Sequence, residues 1–116
     1  MRPENQDPFL QRDLFGGQGE VRIWDLLGTT HLPPFEAVLA CELAPGGSVG
    51  AHRQATADEL LLVIEGRAKA GVDGEQRHLA SGSIVALPLG SLMTLQNLDE
   101  ESSLRYLIIK ARRSNG

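Results

Sequence analysis

The stretch GGSVGAHRQATADELLLVIEG, residues 46–66, decides how the rest of the chain can be interpreted. Its first glycine is followed by five residues and His52, and one further residue separates His52 from Gln54. Four residues then lead to Glu59, and the run of aliphatic side chains after it ends at a glycine. Side chains two apart in a strand point the same way, so His52 and Gln54 are predicted to share one face.

A second segment downstream has a spacing of its own. Gly82 is followed by five residues and Pro88, and one further residue separates Pro88 from Gly90. Two residues lie between Gly90 and Met93, and three lie between Met93 and Asn97. The two segments therefore place turn residues and potential ligands at fixed intervals in a set order.

Together the two segments resemble the two motifs of the cupin family. The first motif reads Gly, five residues, His, one, His, three or four, Glu, six, Gly, and the second reads Gly, five, Pro, one, Gly, two, His, three, Asn. This chain departs from them at Gln54 and Met93, where the family has histidine. The resemblance covers roughly residues 20–111. It implies an all-β, single-domain fold, a small double-stranded β-helix or jelly-roll barrel with its site inside.

The resemblance also implies a ligand set for one metal ion. Three histidines and a glutamate hold a divalent transition metal in the family, and the matching positions here are His52, Gln54, Glu59 and Met93. Thioether sulfur favours soft copper(I), whereas amide and carboxylate oxygens favour harder ions. The set therefore predicts a metal centre that is weakly bound or absent.

A metal-free polar cluster is the alternative for the same residues. A carboxylate in a narrow interior must be paired, hydrogen-bonded or protonated. The Gln54 amide can donate to Glu59, and its oxygen can accept from His52. His52 and Glu59 would then form a titrating pair, which makes them the candidate catalytic residues for acid–base chemistry.

Alternation of apolar residues predicts an all-β chain independently of the motifs. Turn signals at regular intervals separate short strands, as in sandwiches and barrels. Asp73-Gly74 predicts a two-residue hairpin loop, and Tyr106 shares its parity with the aliphatic residues two positions away on each side. The strands are predicted at 20–27, 35–43, 49–54, 59–65, 67–72, 75–79, 83–87, 92–97 and 103–110. The chain divides into an N-terminal arm (1–19), a barrel (20–111) and a C-terminal tail (112–116).

Size, charge and cysteine content limit the class of protein. The chain has 116 residues, enough for one domain. A net charge of −4 argues against a nucleic-acid partner, because phosphate neutralisation needs a basic surface. Cys41 is the single cysteine, which favours a reducing compartment. No signal-peptide pattern and no run of about 20 apolar residues is present, so a cytoplasmic protein without membrane contact is expected.

Three functional interpretations remain open from the sequence. The first is a cupin that binds a small molecule of unknown identity beside a diverged, weak or absent metal centre. The second is a metal-dependent oxygenase, isomerase or lyase that uses His52 and Glu59. The third is a structural or regulatory dimer without a ligand.

A homodimer is expected from one strand of the predicted barrel. If Glu59 faces the interior, then Leu60, Leu62 and Ile64 face outward side by side. Soluble monomers seldom leave such a patch exposed. A second copy is the predicted cover, and the N-terminal arm is the competing one.

Overall fold

The computed structural model describes residues 6–113 and shows a chain built almost entirely of strands. The first five residues of the predicted arm and the last three of the predicted tail lie outside the described residues. One 3-10 turn, Leu14–Gly16, interrupts the strand order. The strands are β1 (Phe9–Arg12), β2 (Glu20–Asp25), β3 (Phe35–Leu43), β4 (Ser48–Arg53), β5 (Asp58–Glu65), β6 (Arg67–Val72), β7 (Glu75–Ala80), β8 (Ile84–Leu87), β9 (Leu92–Asn97) and β10 (Leu104–Ala111).

The strands form two antiparallel sheets that face each other across the interior. The larger sheet has the order β1-β2-β3-β10-β5-β8, and the smaller sheet has the order β4-β9-β6-β7. Neighbours in both sheets are mostly distant in sequence, since β10 lies between β3 and β5. This arrangement confirms the predicted all-β jelly roll.

The core lies between the sheets and is mainly aliphatic. On β10, Leu104 and Tyr106 are buried on the inner face, and they pack against Cys41 and Leu43 of β3. The predicted parity of Tyr106 is therefore confirmed, with a side chain 3% exposed. The inner faces of the smaller sheet supply Ala68, Ala70 and Leu95, whose small and branched side chains fill the space between the sheets.

Backbone geometry explains why the two motifs contain glycine at fixed positions. The four motif glycines all have positive φ values, a region that residues with a Cβ rarely occupy. They are Gly46 (φ 65°), Gly66 (φ 113°), Gly82 (φ 89°) and Gly90 (φ 92°). The predicted hairpin is also confirmed, since Asp73 (φ 51°) and Gly74 (φ 84°) connect β6 to β7 with positive φ at both positions.

Asn97, the last residue of the second motif, joins three pieces of backbone. Its side-chain amide donates to the carbonyls of Leu43, Ala44 and Ser102 at 3.3, 3.1 and 2.8 Å. Its side-chain oxygen accepts from the backbone N–H of Asp99 at 2.9 Å. A buried amide that satisfies both of its ends in this way fixes the ends of β3, β9 and the following turn relative to one another.

The N-terminal segment adds a strand and a closed loop to the barrel. Strand β1 pairs with β2 at the edge of the larger sheet. The N-terminal loop, residues 13–19, follows this strand and is closed by Asp13. The Asp13 N–H donates to the Gly19 carbonyl, and the Asp13 side chain accepts from the Gly19 N–H, both at 2.9 Å. Gly17 and Gly50 allow the loop to lie directly on β4, because a Cβ at either position would overlap backbone atoms opposite.

The predicted strands agree with β2–β10 to within one residue at each end, except at the end of β2. The strand predicted to reach residue 27 ends at Asp25, whose carboxylate accepts from the N–H groups of Leu27 and Gly28 and starts a turn. The strand predicted to include Gln54 ends at Arg53. No helix within residues 6–113 is long and apolar enough to cross a bilayer.

Candidate functional site

A cavity of about 200 Å³ lies between the two sheets, under the N-terminal loop. Its walls are mostly aliphatic, and a few titratable side chains lie among them. The lining residues are Leu14, Phe15, Val21, Ile23, Leu39, Cys41, Val49, His52, Glu59, Met93, Leu95, Tyr106, Ile108 and Lys110. A larger surface cleft of about 490 Å³ contains His31, but none of the predicted site residues lines it. The cavity between the sheets is therefore the better candidate site.

His52 reaches the cavity from the end of β4. Its Nδ1 lies 3.0 Å from the carbonyl oxygen of Gly50, which can only accept, so Nδ1 carries the proton. The ring of Phe15 stacks on His52, with centroids 4.2 Å apart and planes inclined by 15°. The N-terminal loop thus places an aromatic ring at the cavity wall.

Glu59 lies at the start of β5 with its side chain 3% exposed. Its Oε2 accepts a long hydrogen bond from Nε2 of Gln54 at 3.4 Å. The predicted contact from Gln54 to Glu59 is therefore present, whereas His52 bonds to Gly50 and not to Gln54. Gln54 itself is buried, and it does not line the cavity.

Lys110 is a residue of the candidate site that the sequence motifs do not indicate. It lies opposite Glu59 in the register of β10 and β5, and its Nζ is 3.8 Å from Oε1 of Glu59. It continues the inward parity of Tyr106 and Ile108 on β10. That parity was the available signal, because inward-facing residues recur every second position in a strand.

The environment of Glu59 changes its acidity in a definite direction. Burial raises the pKa of Glu59 above its ordinary value of 4.5, and the ammonium of Lys110 only partly opposes that effect. Desolvation disfavours the charged carboxylate, whereas a nearby cation favours it. Glu59 is therefore a stronger base than an exposed glutamate would be.

Cys41 and Tyr106 form the less reactive part of the wall. They lie opposite each other in the register of β3 and β10. Burial raises the pKa of Cys41 to about 12, with a further contribution from the charge of Glu59. Burial likewise raises the pKa of Tyr106 well above its usual value. Both groups are neutral near pH 7, and a cysteine in this state is a small hydrophobic residue and not a nucleophile.

The side chains at the predicted ligand positions are a poor fit for a tightly bound divalent metal. His52 and Met93 face each other between β4 and β9, and together with Glu59 they line the cavity. They offer one imidazole and one thioether, and the single carboxylate is shared with an ammonium group and an amide. Within residues 6–113, no group of three or more His, Cys, Asp or Glu side chains is placed to hold a metal ion.

Comparison with known proteins identifies the type of domain. A family model described as a cupin domain matches residues 39–110. A predicted oxalate decarboxylase from Thermotoga maritima superposes with a TM-score of 0.86 at 21% identity, covering 97% of each chain.

Two further solved structures are similar. A Cupin 2 conserved barrel domain protein from Salinispora arenicola has 28% identity and a TM-score of 0.70, covering 94% of this chain and 86% of its own. A sugar phosphate isomerase from Silicibacter pomeroyi has 21% identity and a TM-score of 0.66, covering 80% of this chain and 60% of its own. A comparison with curated protein sequences finds no match.

Proposed function

Because the chain belongs to the cupin domain family, we propose that it binds a small molecule in the cavity between its sheets without a tightly held metal ion. One observation carries the proposal. The carboxylate at the family's metal-ligand position, Glu59, is 3.8 Å from the ammonium of Lys110. The positive charge that a metal would bring to this carboxylate is supplied by the protein itself.

The cation beside Glu59 also acts against metal binding. A divalent ion placed on Glu59 would lie close to the Lys110 ammonium, and like charges at such distances repel strongly in a poorly solvated site. Losing two imidazoles removes the ligands that would offset this repulsion. The metal-dependent oxygenase, isomerase or lyase therefore remains the less favoured alternative, with His52 and Glu59 as its essential residues.

The volume of the cavity suits a ligand smaller than a typical drug-sized molecule. Its volume of about 200 Å³ is below the range of roughly 300–1,000 Å³ that drug-sized ligands occupy. Aliphatic walls with a few polar groups at one place are the usual composition of such a site. The activities of the similar solved structures are compatible with small ligands, but their low identity supports only the shared fold.

A thermal-shift screen of small acids, sugars and phenols tests the proposal. A compound that binds the native state raises the apparent unfolding temperature by mass action. Leu39→Phe places extra volume in the cavity and should abolish the shift, whereas Leu107→Phe makes the same change on the outer face of β10 and should preserve it.

Two outcomes would contradict the proposal. One is a screen without any stabilising compound, or with shifts that Leu39→Phe leaves unchanged. The other is a shift that appears only when a divalent transition metal is added, which would favour the metal-dependent alternative.

A further inference from the structure

The ion pair between Glu59 and Lys110 restricts the net charge of the ligand that the cavity can bind. Glu59 is 3% exposed and Lys110 is 38% exposed, so the pair extends from the closed interior toward solvent. The two opposite charges offset each other at this end of the cavity, and most of the remaining lining is aliphatic or aromatic. A ligand that carries a net charge would leave that charge uncompensated in an apolar cavity, which is costly. The site therefore favours a neutral ligand.

The same pair presents a donor and an acceptor side by side. The ammonium of Lys110 has three N–H donors, and its partner within residues 6–113 is Glu59 at 3.8 Å, beyond hydrogen-bond distance. The Glu59 carboxylate accepts one long bond from Gln54 at 3.4 Å. A hydroxyl group matches both, because its oxygen accepts from Lys110 while its O–H donates to Glu59.

The wall of the cavity adds an aromatic surface. Phe15 and His52 are stacked, and both line the cavity. Aromatic rings pack well in offset or edge-to-face arrangements against such a pair. The remaining wall is aliphatic, and a cavity of about 200 Å³ accommodates one ring more readily than two.

We infer that the cavity binds a small neutral phenol, whose hydroxyl bridges Glu59 and Lys110 and whose ring lies between the aliphatic wall and the Phe15–His52 stack. This inference rests on the proposed function, because it names the ligand class of the same cavity. It gives Lys110 the role of a ligand-orienting cation at the place where the family has its metal.

Four probes of similar size separate the ligand chemistries. Phenol, toluene, benzoate and benzylamine differ in hydroxyl group and charge, and their affinities can be measured by calorimetric or NMR titration at pH 7. Phenol should bind roughly 10- to 100-fold more tightly than toluene, since a hydrogen bond to a charged group contributes about 1.5–3 kcal/mol and each 1.4 kcal/mol is tenfold. Benzoate and benzylamine should bind more weakly than phenol.

Two substitutions test the roles of the ion pair. Lys110→Met should remove most of the advantage of phenol over toluene, whereas Lys69→Met, on the smaller sheet away from the cavity, should leave it unchanged. Glu59→Gln leaves Lys110 without its counter-charge, so benzoate should gain relative to phenol. If Glu59→Gln does not fold, the Lys110→Met comparison decides, because that side chain is partly exposed.

The outcomes distinguish this inference from the proposed function. The inference is overturned if toluene binds as tightly as phenol, if benzoate or benzylamine binds best, or if Lys110→Met leaves the order unchanged. It is also overturned if no aromatic probe binds while other compounds of the screen do, and the proposed function then stands. If neither the probes nor the screen gives binding that Leu39→Phe abolishes, both fail.

Discussion

A single lysine changes the chemistry expected of this site. The motifs direct attention to His52, Gln54, Glu59 and Met93, and three of these line the cavity. The charge that pairs with Glu59 comes from Lys110, which neither motif contains. Motif spacing locates positions within a fold, but a partner supplied by a distant strand depends on the register of β10 against β5.

The contributions of Glu59 and Asp58 to the free energy of unfolding should change with pH in opposite directions. Burial raises the pKa of Glu59, so the folded state binds a proton more tightly than the unfolded state does. The contribution of Glu59 to the free energy of unfolding therefore falls as pH rises above the ordinary value of 4.5. The backbone N–H of Leu89 and then Arg113 hold the pKa of Asp58 below its ordinary value of 3.8, so its contribution is lost as pH falls below that value.

Urea unfolding of matched variants measures both effects. The wild type should lose stability relative to Glu59→Gln as pH rises above 4.5. It should lose stability relative to Asp58→Asn as pH falls below 3.8. The opposite result would be a free energy of unfolding that rises in the wild type relative to Glu59→Gln between pH 5 and 7. It would show that Lys110, and not burial, dominates the pKa of Glu59.

At the scale of elements, local pattern accounts for most of the strands. Alternating apolar residues and positive-φ turn residues are short-range signals, and they predicted the Asp73-Gly74 hairpin. The position of the loop over the cavity could not be predicted in this way. It depends on a backbone contact between Gly17 and Gly50, which are far apart in sequence. No local pattern indicates that Phe15 will stack on His52.

Gly50→Ala tests how firmly that loop is held. A Cβ at position 50 would overlap the carbonyl of Phe15, so the loop must move away from β4. We expect a loss of about 1–3 kcal/mol, as in other overpacked sites, together with a change in the His52 ring proton shifts as the Phe15 ring moves. Gly28→Ala is the control for the His52 shifts and should leave them unchanged, since its positive φ of 58° strains an alanine but no atoms lie within 4 Å of the added Cβ. Unchanged His52 shifts in Gly50→Ala would mean that the stack does not depend on this contact.

At the scale of the whole molecule, the outer face of the larger sheet carries an apolar patch made of Leu60, Leu62, Ile64 and Ile84. Leu60 is 42% exposed, Ile64 36% and Ile84 62%. The N-terminal segment adds to the opposite edge of that sheet, and its Leu14 and Phe15 cover the cavity. The part of the N-terminal arm within residues 6–113 therefore does not cover the patch. A two-fold contact with a second copy remains the expected cover.

Sedimentation equilibrium tests the homodimer. The wild type should sediment as a dimer at micromolar concentration, and Leu60→Asp should shift it toward monomer because a charge would be buried in the contact. Leu92→Asp makes the same change at a leucine 37% exposed on the smaller sheet and should leave the mass unchanged. A monomeric wild type, or equal effects of the two variants, would contradict the dimer.

Metal content tests the central claim, that the cavity functions without a tightly held metal, most directly. The protein is purified without chelator, dialysed against a mild chelator and assayed for transition metals, beside a Gln54→His/Met93→His variant that restores the family's ligands. We expect far less than one metal per chain in the wild type and a higher content in the variant. Stoichiometric zinc or iron retained by the wild type would contradict the account.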